Sequence, residues 1–143
     1  HSVVHNHSLS VIPFGVTNTP LKPIIHTGAA IGQDIPIWDI YDNFGDTDLL
    51  VRNMEQGRDL ASTMGSASVV LMRGHGCSVV GSSIKEATLT AVYLQISAAV
   101  QLQSMPLGNV RYLTPGETEE CTNMFYSDLS VDRAWENLTA RVK

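Results

Sequence analysis

The stretch ASVVLMRGHGCSVVG, Ala67–Gly81, decides what kind of fold this chain can adopt. Ser68 to Met72 is short, uncharged and rich in β-branched and large apolar residues, as a buried strand is. A glycine-flanked turn around His75 then reverses the chain, and Cys77 to Val80 reads as a second strand closed by Gly81. Gly74 and Gly76 frame a bulky imidazole, which predicts a tight backbone turn that presents the ring into a cleft. A histidine packed in a core would need no such frame.

Working outward from this hairpin, SIKE, Ser83–Glu86, has the form of a capping box and predicts a long helix to about Met105. Within it, Ala91 to Gln103 is apolar over most of its circumference, so it is expected in the core. TPGE, Thr114–Glu117, is a second capping box with Pro115 at the first helical position, where its missing N–H costs nothing. That helix is expected to reach about Tyr126, and a last amphipathic one to run from Ser130 to Val142. Upstream of the hairpin, Asp46 or Thr47 can cap a helix ending near Met64, with Gly65 well placed just beyond it. Ile35 to Ile40 reads as a short strand, and SLSVIPFGVTNTPLKP as a helical turn followed by an irregular loop. The result is one mixed α/β domain over residues 1–143, with short paired strands covered by helices.

The N-terminal stretch HSVVHNHSLS supplies the chemistry. Val3 to His7 reads as a strand in which residues two apart share a face, their Cα atoms about 6.5–7 Å apart. His5 and His7 can therefore converge on one cation, with nitrogen–metal bonds of about 2.0–2.1 Å. A pair of half-exposed strand histidines would look the same, so the pair alone is a weak signal. His75 on its glycine turn adds a third imidazole, and three nitrogens with open positions suit a catalytic rather than a structural metal. Three imidazoles fit Zn, taken first, and equally Mn, Fe or Co.

Composition excludes several alternatives. The chain has 143 residues, 43% hydrophobic and 16% charged, with a net charge of −5 and scattered Lys and Arg. No basic stripe exists to follow a nucleic-acid backbone, and no apolar run is long enough to span a bilayer. Cys77 and Cys121 have no CxxC spacing, which excludes a thiolate zinc site and points to free thiols in a reducing compartment, the cytoplasm.

VVHNHSLS followed by VVLMRGHG resembles the class II aldolase/adducin family, as do FGDTDLLVRN…GRDLA and VVGSSIKEAT…AVYLQISAAVQLQ around the second motif. The resemblance implies a three-layer α/β/α sandwich around a mostly antiparallel sheet, assembled as a homotetramer with active sites between subunits. It implies His5, His7 and His75 as metal ligands. Members of the family also carry an acidic residue and glycine- and serine-rich phosphate-binding segments upstream of the first motif. The chain is accordingly expected to be an N-terminally incomplete fragment, because Gly28, Gly32, Ser82 and Ser83 read as turn and cap residues rather than substitutes. His26, in KPIIHTG, falls about where the sugar-phosphate aldolases place a tyrosine that donates a proton in a neighbouring subunit's site. Tyr112 and Arg73 are weaker candidates, Arg73 reading better as a structural ion-pair residue.

The implied activity is that of a divalent-metal-dependent carbon–carbon lyase in which the cation stabilises an enolate. A histidine at position 26 resembles the decarboxylase branch, acting on aromatic or muconic-type hydroxy-carboxylates. Retro-aldol cleavage of a sugar phosphate or other hydroxy-ketone is the first alternative. A non-catalytic adducin-like scaffold is the second, disfavoured because the histidine triad is complete.

Overall fold

The computed structural model describes residues 1–142. Its strands are β1 (Ser2–Asn6), β2 (Ile37–Trp38), β3 (Val69–Met72) and β4 (Gly76–Gly81), in the spatial order β1-β4-β3-β2. β4 pairs antiparallel with both β1 and β3, whereas β2 joins β3 in parallel. The expected hairpin is therefore the centre of a single, mostly antiparallel sheet. Its helices are α1 (Ile12–Gly15), α2 (Ile40–Phe44), α3 (Met54–Met64), α4 (Ile84–Ser104), α5 (Pro115–Phe125) and α6 (Asp128–Thr139).

Strand alternation divides the core into two layers. Val69, Leu71, Cys77 and Val79 pack with Val11, Phe14, Ala91, Leu94 and Ala98 from the side of α1 and α4. Val70 and Met72 point the other way, into a cluster with Trp38, Ile40, Phe44, Leu60 and Met64 beneath α2 and α3. Each fully buried Leu, Val or Phe contributes about 1.5–3 kcal/mol of transfer free energy, which is why the pattern holds both helical layers on the sheet. A third cluster, Leu89, Phe125 and Val131, fastens α5 and α6 to α4. No helix among the described residues is long and apolar enough to cross a membrane.

The helix termini follow the local chemistry. Thr114 and Glu117 form a complete capping box. Ser83 caps α4 by accepting from the Glu86 N–H at 3.2 Å, but the Glu86 carboxylate turns to Ser82, so only half of that box forms. Along α4, Ala91, Leu94, Ser97, Ala98 and Gln101 are buried while Ile96 is exposed, so the expected core stretch is buried on one side. α6 begins at Asp128, two residues earlier than expected.

Two elements are shorter than their sequence suggests. The strand expected over Ile35–Ile40 keeps only Ile37–Trp38, because the Asp39 carboxylate accepts from the Tyr41 N–H at 3.0 Å and starts α2. The helix expected from Asp46 or Thr47 starts only at Met54. Thr47 accepts from the Leu49 N–H and Asp48 from the Leu50 N–H, so their side chains stabilise a loop instead. Leu49 is the single non-glycine residue with positive φ among those described, at 63°, and no helix runs through it. Asn53 then caps α3 by accepting from the Gln56 N–H at 3.0 Å, and Gly65 ends it with φ 55°.

Candidate metal centre

β1 lies at the edge of the sheet with His5 opposite Ser78 of β4. His5 and His7 project from the same face, and their Nε2 atoms stand 3.1 Å apart. The turn between β3 and β4 brings His75 beside them, with ring centroids 5.0 Å from His5 and 4.7 Å from His7. One nitrogen from each ring lies within 4.8 Å of the other two. Two nitrogens bound at about 2.1 Å to one cation stand about 3.0–3.4 Å apart for octahedral or tetrahedral angles. The His5–His7 separation fits that geometry without movement.

The surroundings orient the rings. The His75 Nδ1 lies 2.6 Å from the Leu49 carbonyl oxygen. A carbonyl only accepts, so Nδ1 carries the proton and Nε2 keeps the free lone pair. The Ser78 hydroxyl lies 3.4 Å from the His5 Nδ1, leaving the His5 Nε2 toward His7. Burial first, then the neighbouring His75 and His7 rings, hold His5 below the ordinary imidazole range, although the Cys77 backbone acts in the opposite sense. The free base is the form that ligates a cation. On the opposite face of β1, the Asn6 side chain accepts from the Ser8 N–H at 3.1 Å and from the Cys77 thiol at 3.3 Å.

Beside His5 and His75 lies a cleft of about 430 Å³ walled by Leu50, Val51, Leu60 and Met72, with Arg52 and Ser78 also lining it. Arg52 is ion-paired with Asp48. Such a cleft can seat a small molecule with an apolar body next to His5 and His75. Sequence patterns give Leu49, Leu50 and Leu60 only as the apolar side of the helix expected up to Met64, and do not point to Ser78. Ser78 becomes meaningful only once its register opposite His5 is known, and Leu49 acts through a backbone atom.

His26 is not part of the cluster. It opens a 3₁₀ turn, His26–Ile31, that packs against α4 and α5, and it is not among the nitrogens that converge. There it is exposed and borders a separate cleft of about 510 Å³ with Tyr93, Phe125 and Arg133. Arg73 is paired with Asp39, as its structural reading expected. The Tyr112 hydroxyl accepts from the buried Gln101 amide, which also holds the Pro20 carbonyl and the Lys22 N–H. Tyr112 thus helps anchor the loop leading to His26.

Residues 1–102 match the family described as the Class II Aldolase and Adducin N-terminal domain. Decarboxylase tropJ of Talaromyces stipitatus is 38% identical over 117 residues, 74% of this chain and 44% of that protein. A 3,4-dihydroxyphthalate decarboxylase of a Terrabacter species is 27% identical over 146 residues, 99% of this chain and 58% of that protein. The chain therefore spans about half the length of the curated relatives it matches. Among solved structures, an L-fuculose 1-phosphate aldolase superposes with a TM-score of 0.69 at 17% identity, covering 87% of this chain and 55% of that one. That likeness is one of fold.

Proposed function

The chain belongs to the class II aldolase and adducin family, and on that premise we propose that it carries the metal centre of a carbon–carbon lyase, a decarboxylase of an aromatic or muconic-type hydroxy-carboxylate. The convergence of His5, His7 and His75 beside an apolar-walled cleft is the observation that carries this reading. The names of its relatives, decarboxylases of Talaromyces stipitatus and Terrabacter, support decarboxylation over aldol cleavage. A bound divalent cation, zinc in the first instance, would act as a Lewis acid that spreads the negative charge left when the carbon–carbon bond breaks.

The chain's own residues do the rest. His5, His7 and His75 would hold the cation, each through one ring nitrogen, and would leave positions open for substrate oxygens. Leu50, Val51, Leu60 and Met72 wall the cleft beside them, limiting water and orienting the substrate's apolar body. His26 borders a cleft that holds none of its own chain's triad, so as a proton donor it would serve a neighbouring copy in a homo-oligomer, a tetramer on the family pattern. The unpaired Cys77 and Cys121 support a reducing compartment, the cytoplasm.

Metal analysis after dialysis against a chelator and reloading with Zn, Mn, Fe or Co tests the reading, followed by assay of CO₂ release from hydroxy-phthalate-type acids. One cation per chain, lost together with activity in His5→Ala and His75→Ala, is expected. A protein that takes up no cation overturns it, and aldehyde release from a sugar phosphate would move it to the aldolase branch.

A further inference from the structure

The loop between α2 and α3 holds one leucine in the left-handed backbone region. Leu49 sits at φ 63°, a region that favours glycine, yet the residue is leucine. Bonds on both sides of it maintain that conformation. The Leu49 N–H donates to the Thr47 hydroxyl at 3.1 Å, and the Leu50 N–H to the Asp48 carboxylate at 3.2 Å. Asp48 is itself held by Arg52, whose Nε donates at 2.8 Å, and the Arg52 N–H donates to the buried Gln56 side chain at 2.7 Å. The consequence of this arrangement is the direction of one carbonyl, which accepts from His75 Nδ1–H at 2.6 Å. Gly74, at φ 66°, turns the chain so that His75 meets this carbonyl, a backbone conformation that favours glycine.

We propose that Leu49 is a positioning residue, its carbonyl aimed by the left-handed backbone so as to lock His75 as the Nδ1–H tautomer with Nε2 turned toward His5 and His7. The proposal rests on the metal reading for its purpose, since a ring fixed in this way presents a ready ligand. A partner on the far nitrogen of a metal-binding imidazole typically changes affinity by about 10–100-fold. Leu49 also packs its side chain against the cluster that contains Trp38 and Met72, so a plain packing role must be told apart from a backbone role.

The two roles predict opposite orders for two variants. Leu49→Gly keeps the carbonyl and adopts positive φ freely but loses the side chain. Leu49→Ile keeps the apolar volume, but its branched Cβ disfavours positive φ. Zn(II) affinity, read by competition with a chromophoric chelator, is expected to stay within about twofold in Leu49→Gly and to weaken by about tenfold or more in Leu49→Ile. The reverse order would assign Leu49 to packing and overturn the proposal. A second measurement needs no variant: long-range proton–nitrogen NMR of the metal-free wild-type protein should find His75 protonated on Nδ1. Protonation on Nε2 sinks the proposal whatever the variants do. If wild type binds neither Zn(II) nor Co(II) while Nδ1 is protonated, the metal reading fails and the Leu49–His75 lock stands.

Discussion

Gly76 packs so closely under the end of β1 that a Cβ on it would stand 2.2 Å from the Asn6 carbonyl oxygen and 3.1 Å from the His7 Cα. The turn that presents His75 and the strand that presents His5 and His7 are thus fastened to each other by backbone contact. The glycine after His75 sets the spacing between the two halves of the metal centre.

Replacing it should therefore disturb both stability and the site. Gly76→Ala is expected to cost about 1–3 kcal/mol, the usual range for overpacking, and more if the backbones cannot yield. It should also weaken Zn(II) binding, because relief of the clash moves β1 away from the turn. Urea unfolding and chelator competition check the two effects. Unchanged affinity at reduced stability would mean that β1 and the turn shift as one body.

His26→Ala should leave the cation content of the protein intact, since His26 stands apart from the three rings. As a proton donor to a neighbouring copy's site, it should lower turnover by about 10²–10⁴-fold when removed. Light scattering should show the same oligomer for variant and wild type. Turnover near the wild-type level would make His26 a bystander.

Cys77 is fully buried, and burial pushes its thiol up to about 11. At neutral pH it stays protonated and out of reach, so iodoacetamide should label Cys121 alone in the folded protein and both cysteines in urea. Mass spectrometry counts the labels. Rapid native labelling of Cys77 would show that the layer between the sheet and α4 opens readily.

Asp39 offers a pH test outside the metal centre. Burial pushes its carboxyl up, but the hydrogen bond from Arg73, the Tyr41 N–H and the Arg73 charge outweigh it and hold the carboxyl below its ordinary 3.8. The folded state thus favours the ionised form. The stabilisation is fully present above about pH 3.9 and is lost as pH falls through the folded value. Asp39→Asn should cost under about 1 kcal/mol at neutral pH, given the partial exposure of the pair. Its unfolding midpoint should approach that of wild type on acidification. A gap that persists in acid would point to the cap on α2 rather than the charge.

The hairpin, the long helix α4 and the capped start of α5 were legible because each rests on near neighbours in sequence: an apolar run between glycines, Ser83 ahead of Glu86, Thr114 ahead of Glu117. The two histidine motifs were legible for the same reason, since strand period and a glycine-framed turn are local properties. Where the chain chooses between local alternatives, tertiary contacts decided. Asp39 and Thr47 are both able cappers, yet Asp39 caps α2 and so ends β2 early, with Arg73 of a distant segment paired to it, whereas Thr47 closes a loop beside the Leu49 carbonyl that meets His75. The meeting of His75 with His5 and His7 follows from β4 lying between β1 and β3, with Gly76 against Asn6. Register and backbone closure between distant segments set those distances, and no spacing along a single chain carries that information.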